Sequence, residues 1–460
     1  MAPERLRFVD LPAGAGTALI GSLGDPDLVA AGYEQRELGV VATVHAVTSA
    51  DATFPEDGRF ELAAGAEAEV RTRVVARRPV DPARCSGTVV LEWLNVSSGS
   101  DAAPSYGFLG AEVVRRGHVW VGLSAQKAGI ETAPALVRIG DGAIRLEALR
   151  QTDPERYGGL HHPGDEFSYD LYTCVARALR SSRADGPTAD LGVERVLAVG
   201  ESQSAYTLTT YANGVHPTEH AVDGFLIHSR GGPAAPLGGP DGRIDLEDGR
   251  GDEAVRIRDD LDVPVVVVET ETDLLGHLRY LPARQPDTDG FRLWEIAGTA
   301  HADRSLIGDF EPVLGCPEPV NRGQQGFVVR AALRRLEEWV VHGTPPPAAP
   351  RLAVVDDGAG RGRFDVDDLG NVLGGVRTPC VDAPVELLSG LAPAGANRAC
   401  QLFGRTAELP EATLRERYGS RDDYVAAYTA AADAAIAAGF VLAEDRGALL
   451  ADARTDRITW

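Results

Sequence analysis

The chain has 460 residues, a formal net charge of −23 at pH 7, 44% hydrophobic residues and 25% charged ones; this is a globular composition, long enough for a large core and more than one structural unit. The acidic balance and the lack of any Lys/Arg cluster argue against nucleic acid as a partner, and no apolar run reaches the roughly eighteen residues of a membrane span. The opening stretch MAPERLRFVDLPAGAG carries charges where a signal peptide needs its apolar centre, so the expected location is cytoplasmic.

Two residue types narrow the chemistry further. Lys127 is the sole lysine, and its context, LSAQ before and AGIETAP after, suits neither a Schiff-base lysine nor a phosphate loop. The cysteines are Cys85, Cys174, Cys316, Cys380 and Cys400. Their number is odd, their spacing wide, and no CxxC pair occurs, which disfavours structural zinc. Free thiols are expected in a reducing compartment, with a Cys380–Cys400 bridge as the alternative for an exported chain.

In chain order, residues 37–47 and 68–76 predict two opening strands, antiparallel to each other. A buried strand at 88–94 is followed by a helix at 105–116 and a strand at 118–123. A helix at 169–181, with Ser168 as its cap, precedes a strand at 195–199 and a helix at 203–212. Strands follow at 222–228, 264–268 and 291–297, and then a long helix at 323–342, stopped by Gly343 and prolines. Strands alternating with helices imply an α/β fold with a mostly parallel central sheet covered on both faces. Two excursions, about 128–168 and 230–262, interrupt the alternation and are expected to build or cover a pocket. These belong to a core over 1–344. Residues 345–460 form a C-terminal extension, packed on or beside the core, that ends in alanine-rich helices such as 422–438.

The strand at 195–199 runs into GESQS, residues 200–204. A serine hydroxyl needs a base to become a nucleophile, and it must stand clear of its own backbone. A sharp strand-to-helix corner does this when the residues at −2 and +2 are small. The usual pattern is G-x-S-x-G; here Ser204 takes the place of the second glycine, so Ser202 is the candidate nucleophile. The bland alternative is a capping serine in an ordinary strand–turn–helix. Two later strand ends weigh against it. The strand at 264–268 enters ETETDLLG, and the strand at 291–297 enters GTAHAD, which carries His301. An acid and a histidine therefore follow the serine in the order Ser, acid, His.

The segments LEWLNVSSG (91–99), HHPGDEFSYDLY (161–172), GESQSAY (200–206), VETETD (268–273), GTAHAD (298–303) and GGVRTP (374–379) resemble the α/β-hydrolase superfamily, and within it a bacterial group of large esterase-like proteins. The resemblance implies the α/β-hydrolase fold, no cofactor, and ester or related acyl chemistry, with Ser202 as nucleophile and His301 as base. For the acid, the superfamily's usual position a few residues past the strand favours Asp273, with Glu271 as the alternative; Glu269, at the strand end, is expected to point into the wall. The oxyanion hole needs two backbone N–H groups. Gln203, next to the nucleophile, is one expected donor, and Asn95 or Val96, in the loop after the strand at 88–94, the other.

Further histidines invite weaker readings. His161, His162 and His228 could line the pocket; exposed-loop and core positions are the rival readings. HPTEH, residues 216–220, spells the H-x-x-E-H of a zinc protease class, but that motif needs a continuous helix, and Pro217 sits inside it. No metal is expected. The expectation is a serine hydrolase acting on a small-molecule carboxylic ester or lactone. An acyltransferase or lyase using the same triad, or a non-catalytic binding relic, are the alternatives. The oligomeric state is not legible in the sequence.

Overall fold

A computed structural model describes residues 5–22, 24–50, 53–131, 146–239, 241–244, 253–356 and 362–460. Its centre is a nine-stranded sheet in the order β1-β2-β3-β5-β4-β6-β7-β8-β9. The strands are β1 Leu6–Val9, β2 Tyr33–Thr48, β3 Ala63–Pro79, β4 Thr88–Trp93, β5 Val119–Leu123, β6 Arg195–Glu201, β7 Gly224–His228, β8 Val265–Thr270 and β9 Phe291–Ile296. From β5 to β9 every neighbouring pair is parallel, whereas β1, β2 and β3 join antiparallel to one another and to β5. The parallel strands read as apolar runs, such as VVVVET in β8 and GFLIH in β7, because both of their faces are covered and every residue is buried.

Alternate side chains serve two cores. Val89, Leu91, Val196, Ala198, Val265 and Val267 pack with the helix Ser168–Arg180 through Tyr172, Val175 and Leu179. Val90, Leu197, Val199, Leu226, Val266 and Val268 pack on the opposite face with Leu109 and Val113 of the helix Pro104–Arg116 and with Val329 and Leu333 of the helix Gln325–His342. This two-sided covering of a mostly parallel sheet is the arrangement anticipated from the alternation of elements.

The structure differs from the sequence reading in several places. β1 was not anticipated; it is four residues long and, among the described residues, pairs only with β2. β6 runs to Glu201, so Ser202 follows the strand directly. The helix Gln203–Thr210 does not end in a turn. It passes through a π-helical turn, Tyr211–Val215, into a short helix, His216–Glu219, in which Pro217 lies in the first turn, where its missing N–H costs nothing. Ser168 does not cap its helix: it is the first helical residue, and its hydroxyl lies 3.4 Å from His162 Nε2.

The cysteines also depart from expectation. Cys316 and Cys400 form a disulfide, with Cα atoms 5.5 Å apart and a separation of 84 positions in sequence, while Cys85, Cys174 and Cys380 are free. The bridge forms because the helix Arg398–Phe403 lies against the chain that follows His301: Asn397 Nδ2 donates to the Leu314 carbonyl at 3.1 Å. Cys380 is held elsewhere, its Sγ 3.1 Å from Thr378 Oγ1.

The C-terminal segment has a small core of its own, built on Ala383, Val385, Leu414, Tyr418, Tyr424 and Tyr428. It also binds the sheet's edge, where Ala297 N donates to the Val376 carbonyl at 3.0 Å. Parts of both excursions, residues 132–145 and 245–252, lie outside the described residues, Leu246 among them. Among the described residues, no helix is long and apolar enough to cross a membrane.

Candidate active site

The C-terminal ends of β6, β8 and β9 bring three of the candidate residues together. β6 ends at Glu201, and Ser202 takes φ 59° and ψ −123° before the helix Gln203–Thr210 begins. A positive φ is strained for any residue with a Cβ. The turn is tight enough that a Cβ at Gly200 would meet Leu208 Cδ1 at 2.9 Å and Ser204 Cβ at 3.1 Å, which explains the glycine at −2. Ser204 is wholly buried, and its hydroxyl has no partner among the described residues. Ser202 N donates to the His228 carbonyl at 3.1 Å, tying the corner to β7.

His301 Nε2 lies 2.9 Å from Ser202 Oγ, and His301 Nδ1 lies 2.7 Å from Asp273 Oδ1. Asp273 is completely buried. Its second oxygen accepts from Thr270 N and Thr270 Oγ1, both at 2.7 Å, in a capping box at the start of the helix Glu271–Leu275. Burial by itself would raise the Asp273 carboxyl; the adjacent His301 imidazole and the bonds from His301 and Thr270 outweigh it and hold the group below the usual carboxylate range. An ionised acid on one side of the imidazole and a hydroxyl on the other can fix the tautomer and pass a proton from oxygen to nitrogen.

Glu271 is engaged elsewhere. Its carboxylate accepts from Gly298 N at 2.6 Å and from Gly390 N at 2.8 Å, so it holds the histidine loop and the C-terminal segment together. Burial pushes its pKa up to about 7. Glu269, in β8, is fully buried, with neither oxygen bonded among the described residues.

The loop after β4 separates the two oxyanion candidates. Asn95 N already donates to the Ala102 carbonyl at 2.9 Å, so this amide has no free proton to offer. The Asn95 side chain instead braces the corner, donating from Nδ2 to the Glu201 carbonyl at 3.1 Å. Val96 N faces the corner and makes a long contact, 3.4 Å, with Gln203 Oε1. Gln203 N, in the first turn of its helix, has no intrahelical acceptor. The Gln203 amide is oriented by Gln126, whose Oε1 accepts from Gln203 Nε2 at 2.6 Å and from Trp93 Nε1 at 3.2 Å.

Of the other histidines, His161 and His162 do not gather at this cluster. The side chain of His161 is 59% exposed and pairs with Glu131 at 3.1 Å. His162 is wholly buried, and burial lowers its pKa to about 3, so it is a neutral core residue rather than a pocket lining. His228 lies beneath the corner, edge-on to Phe108 and 3.8 Å from Glu201, and burial lowers its pKa to about 4.

The sequence reading missed residues that hold these groups in place. Thr272 Oγ1 accepts from His301 N at 3.1 Å and donates to the Gly390 carbonyl at 2.5 Å. Gln325 Nε2 donates to the Ala300 carbonyl at 2.8 Å and to Asp303 at 2.9 Å. Thr270 and Thr272 stand inside the quoted VETETD, yet nothing local marks their partners. Among the described residues, the group of side chains that could jointly hold a metal ion is His216, His220 and Asp262.

Residues 8–451 match a family model described as an alpha/beta hydrolase domain. No curated protein matches the sequence. Among solved structures, the chain is similar to a protein assigned as a dienelactone hydrolase from Klebsiella pneumoniae, with 11% identity, 65% of this chain and 99% of that chain covered, and a TM-score of 0.31. It is similar to a lidless α/β serine hydrolase from Xanthomonas campestris, with 13% identity, coverage of 50% and 80%, and a TM-score of 0.28. It is also similar to a glucuronoyl esterase from Solibacter usitatus, with 10% identity, coverage of 64% and 81%, and a TM-score of 0.29.

Proposed function

The chain belongs to the alpha/beta hydrolase domain family, and we propose that it hydrolyses a small-molecule carboxylic ester or lactone through an acyl-enzyme. The observation that carries this reading is the unbroken run of contacts from Ser202 Oγ to His301 to Asp273, at 2.9 and 2.7 Å.

His301 Nε2 takes the Ser202 proton as Oγ attacks the substrate carbonyl carbon. Asp273 keeps the imidazole oriented and stabilises its protonated form. The carbonyl oxygen becomes an oxyanion, held by Val96 N and Gln203 N. The long contact of Val96 N with Gln203 Oε1 is one that an incoming carbonyl oxygen can replace. As the tetrahedral intermediate collapses, the carbon–oxygen bond to the leaving alcohol breaks, and His301 returns its proton to that alcohol. Water then attacks the acyl-enzyme by the same route in reverse and releases the acid. With a lactone, the leaving alcohol remains tethered to the acyl group, and a single hydroxy acid is released.

Ser202→Ala is expected to lower ester hydrolysis by about 10³-fold or more and to abolish labelling by a fluorophosphonate probe, with the circular dichroism spectrum unchanged. Ser204→Ala is expected to keep both activity and labelling. Labelling that maps to Ser204 or to a cysteine refutes the assignment. Transfer of the acyl group to an added alcohol, in preference to water, would make the enzyme an acyltransferase with the same triad.

A further inference from the structure

We propose that His216, His220 and Asp262 form a binding site for a divalent transition-metal ion of the zinc type, with a structural role. The letters of HPTEH suggest a metalloprotease, which the interrupting Pro217 disfavours. The fold does something different with them. The short helix His216–Glu219 sets two histidines four residues apart, and both reach the same carboxylate on another segment. His216 Nε2 lies 3.1 Å from Asp262 Oδ1, and His220 Nδ1 lies 2.7 Å from Asp262 Oδ2. One ligand atom from each residue lies within 4.8 Å of the others.

The donor set suits such an ion. Two imidazole nitrogens and a carboxylate oxygen are ordinary zinc ligands, at about 2.0–2.2 Å from the metal, with water free to complete a tetrahedron. Tetrahedral ligands at those lengths stand roughly 3.3–3.6 Å apart. An ion would therefore replace the two hydrogen bonds to Asp262 after small rotations. The side chains that would rotate are the exposed ones: His220 is 55% exposed and Asp262 54% exposed, which also opens a route of entry. His216 is the fixed point, fully buried and packed edge-on against Phe225 at 5.2 Å. Its Nδ1 has no partner among the described residues. The site thus lacks the outer hydrogen bond usual for a zinc-bound imidazole, an absence that typically weakens binding by about 10–100-fold.

Its position indicates support rather than catalysis. His216 stands fourteen positions after Ser202 along continuous helical chain, about 20 Å at roughly 1.5 Å per residue. Asp262 precedes β8, at the end of the sheet opposite the one that carries Ser202. A bound ion would clamp the far end of the nucleophile's helix to the segment that feeds β8.

The test uses the full chain, stripped with a chelator and dialysed against micromolar zinc chloride. Bound zinc per chain and the thermal midpoint are measured for the wild type, His220→Ala and Asp262→Asn. Because both residues are half exposed, the variants are expected to fold, and unchanged ester hydrolysis without zinc checks this. The wild type should retain about one zinc per chain, with a raised midpoint. Each variant should lose at least about tenfold in affinity and show no zinc-dependent rise. Failure of the wild type to retain zinc, or equal retention by both variants, overturns the proposal and leaves Asp262 as a hydrogen-bonding clamp only.

Discussion

Glu271 and Gly390 are 119 residues apart in sequence, yet the Gly390 amide donates to Glu271 Oε2 at 2.8 Å. A side chain could not occupy this glycine's place, because a Cβ there would meet Glu271 Cβ and Thr272 N at 2.6 Å. Of two carboxylates in one turn, one faces the imidazole and the other faces a distant backbone. Mutation should separate their roles. Asp273→Asn is expected to lower kcat by about 10⁴-fold with little change in KM, through loss of the correct tautomer. Glu271→Gln should leave kcat within about tenfold but destabilise the fold by about 1–3 kcal/mol, since one buried N–H loses its acceptor. Steady-state kinetics and urea unfolding of both variants check this; the reverse order of kcat losses would hand the role to Glu271.

Glu269 should make the stability of the fold depend on pH. Burial, and then the neighbouring Asp273, raise its pKa well above the usual carboxylate value, against the opposing pull of Arg230. A carboxyl whose folded pKa is raised binds more protons in the folded state than in the unfolded one. Its stabilising contribution is therefore complete below the unfolded value near 4.5 and declines as pH rises towards the folded value. Glu269→Gln keeps the neutral shape and removes that slope. Urea midpoints measured at pH 5 and pH 8 should show the variant gaining on the wild type as pH rises, by at most about 1.4 kcal/mol per pH unit. Parallel curves would show that Glu269 is ionised in the fold.

The excursion after β7 should shape substrate choice. Ala235 N donates to the Tyr206 carbonyl at 3.2 Å, and Thr210 Oγ1 donates to the Ala235 carbonyl at 2.6 Å, so this segment rests on the helix that begins beside Ser202. Ile244 N donates to Asp165 at 2.7 Å, linking it to the other excursion. Replacement of residues 233–250 by a short Gly/Ser linker is expected to change KM and the preference among esters. No jump in rate is expected above the solubility limit of a long-chain ester, because the sequence of this segment holds few large apolar residues from which a lipid-opened lid could be built. Unchanged KM and preference in a folded variant would refute the covering role.

Reduction of Cys316–Cys400 should cost stability and activity together. A bridge spanning 84 residues stabilises by roughly 4.5 kcal/mol in the chain-entropy picture. The bridged segments also meet beside the histidine loop, where Ala302 N donates to the Leu402 carbonyl at 3.0 Å. Dithiothreitol is expected to lower the urea midpoint and kcat of the wild type. Cys316→Ser should begin at the lowered values and not respond to the reductant. A wild type insensitive to reduction would remove the bridge from the account.

What was legible in the sequence was local. A buried parallel strand announces itself as an apolar run, and the corner at Ser202 and the loops carrying Asp273 and His301 all lie within a few residues of such runs. The order of strands was not legible, because β5 lies between β3 and β4 and nothing in either strand records its neighbours. Asn95 and Val96 looked equivalent as donors; the difference arises because the Asn95 amide is committed to Ala102 across a loop. The cysteine pairing failed for the same reason, since spacing along the chain carries no information about which helix lies against the segment after His301. Thr272 and Gly390 were invisible because their meaning is the contact between them.

That contact sets the limits of what can be cut or borrowed. Laboratories that trim hydrolases to a minimal catalytic unit would end this one near residue 344, keeping Ser202, Asp273 and His301. Such a fragment would lose the Gly390 carbonyl and amide that bond Thr272 and Glu271, the Leu402 carbonyl that accepts from Ala302 beside His301, and the partner of Cys316. A chimera that grafted a foreign tail onto this sheet would likewise inherit Ser202, Asp273 and His301 without the contacts that the native tail makes to the turns beside them.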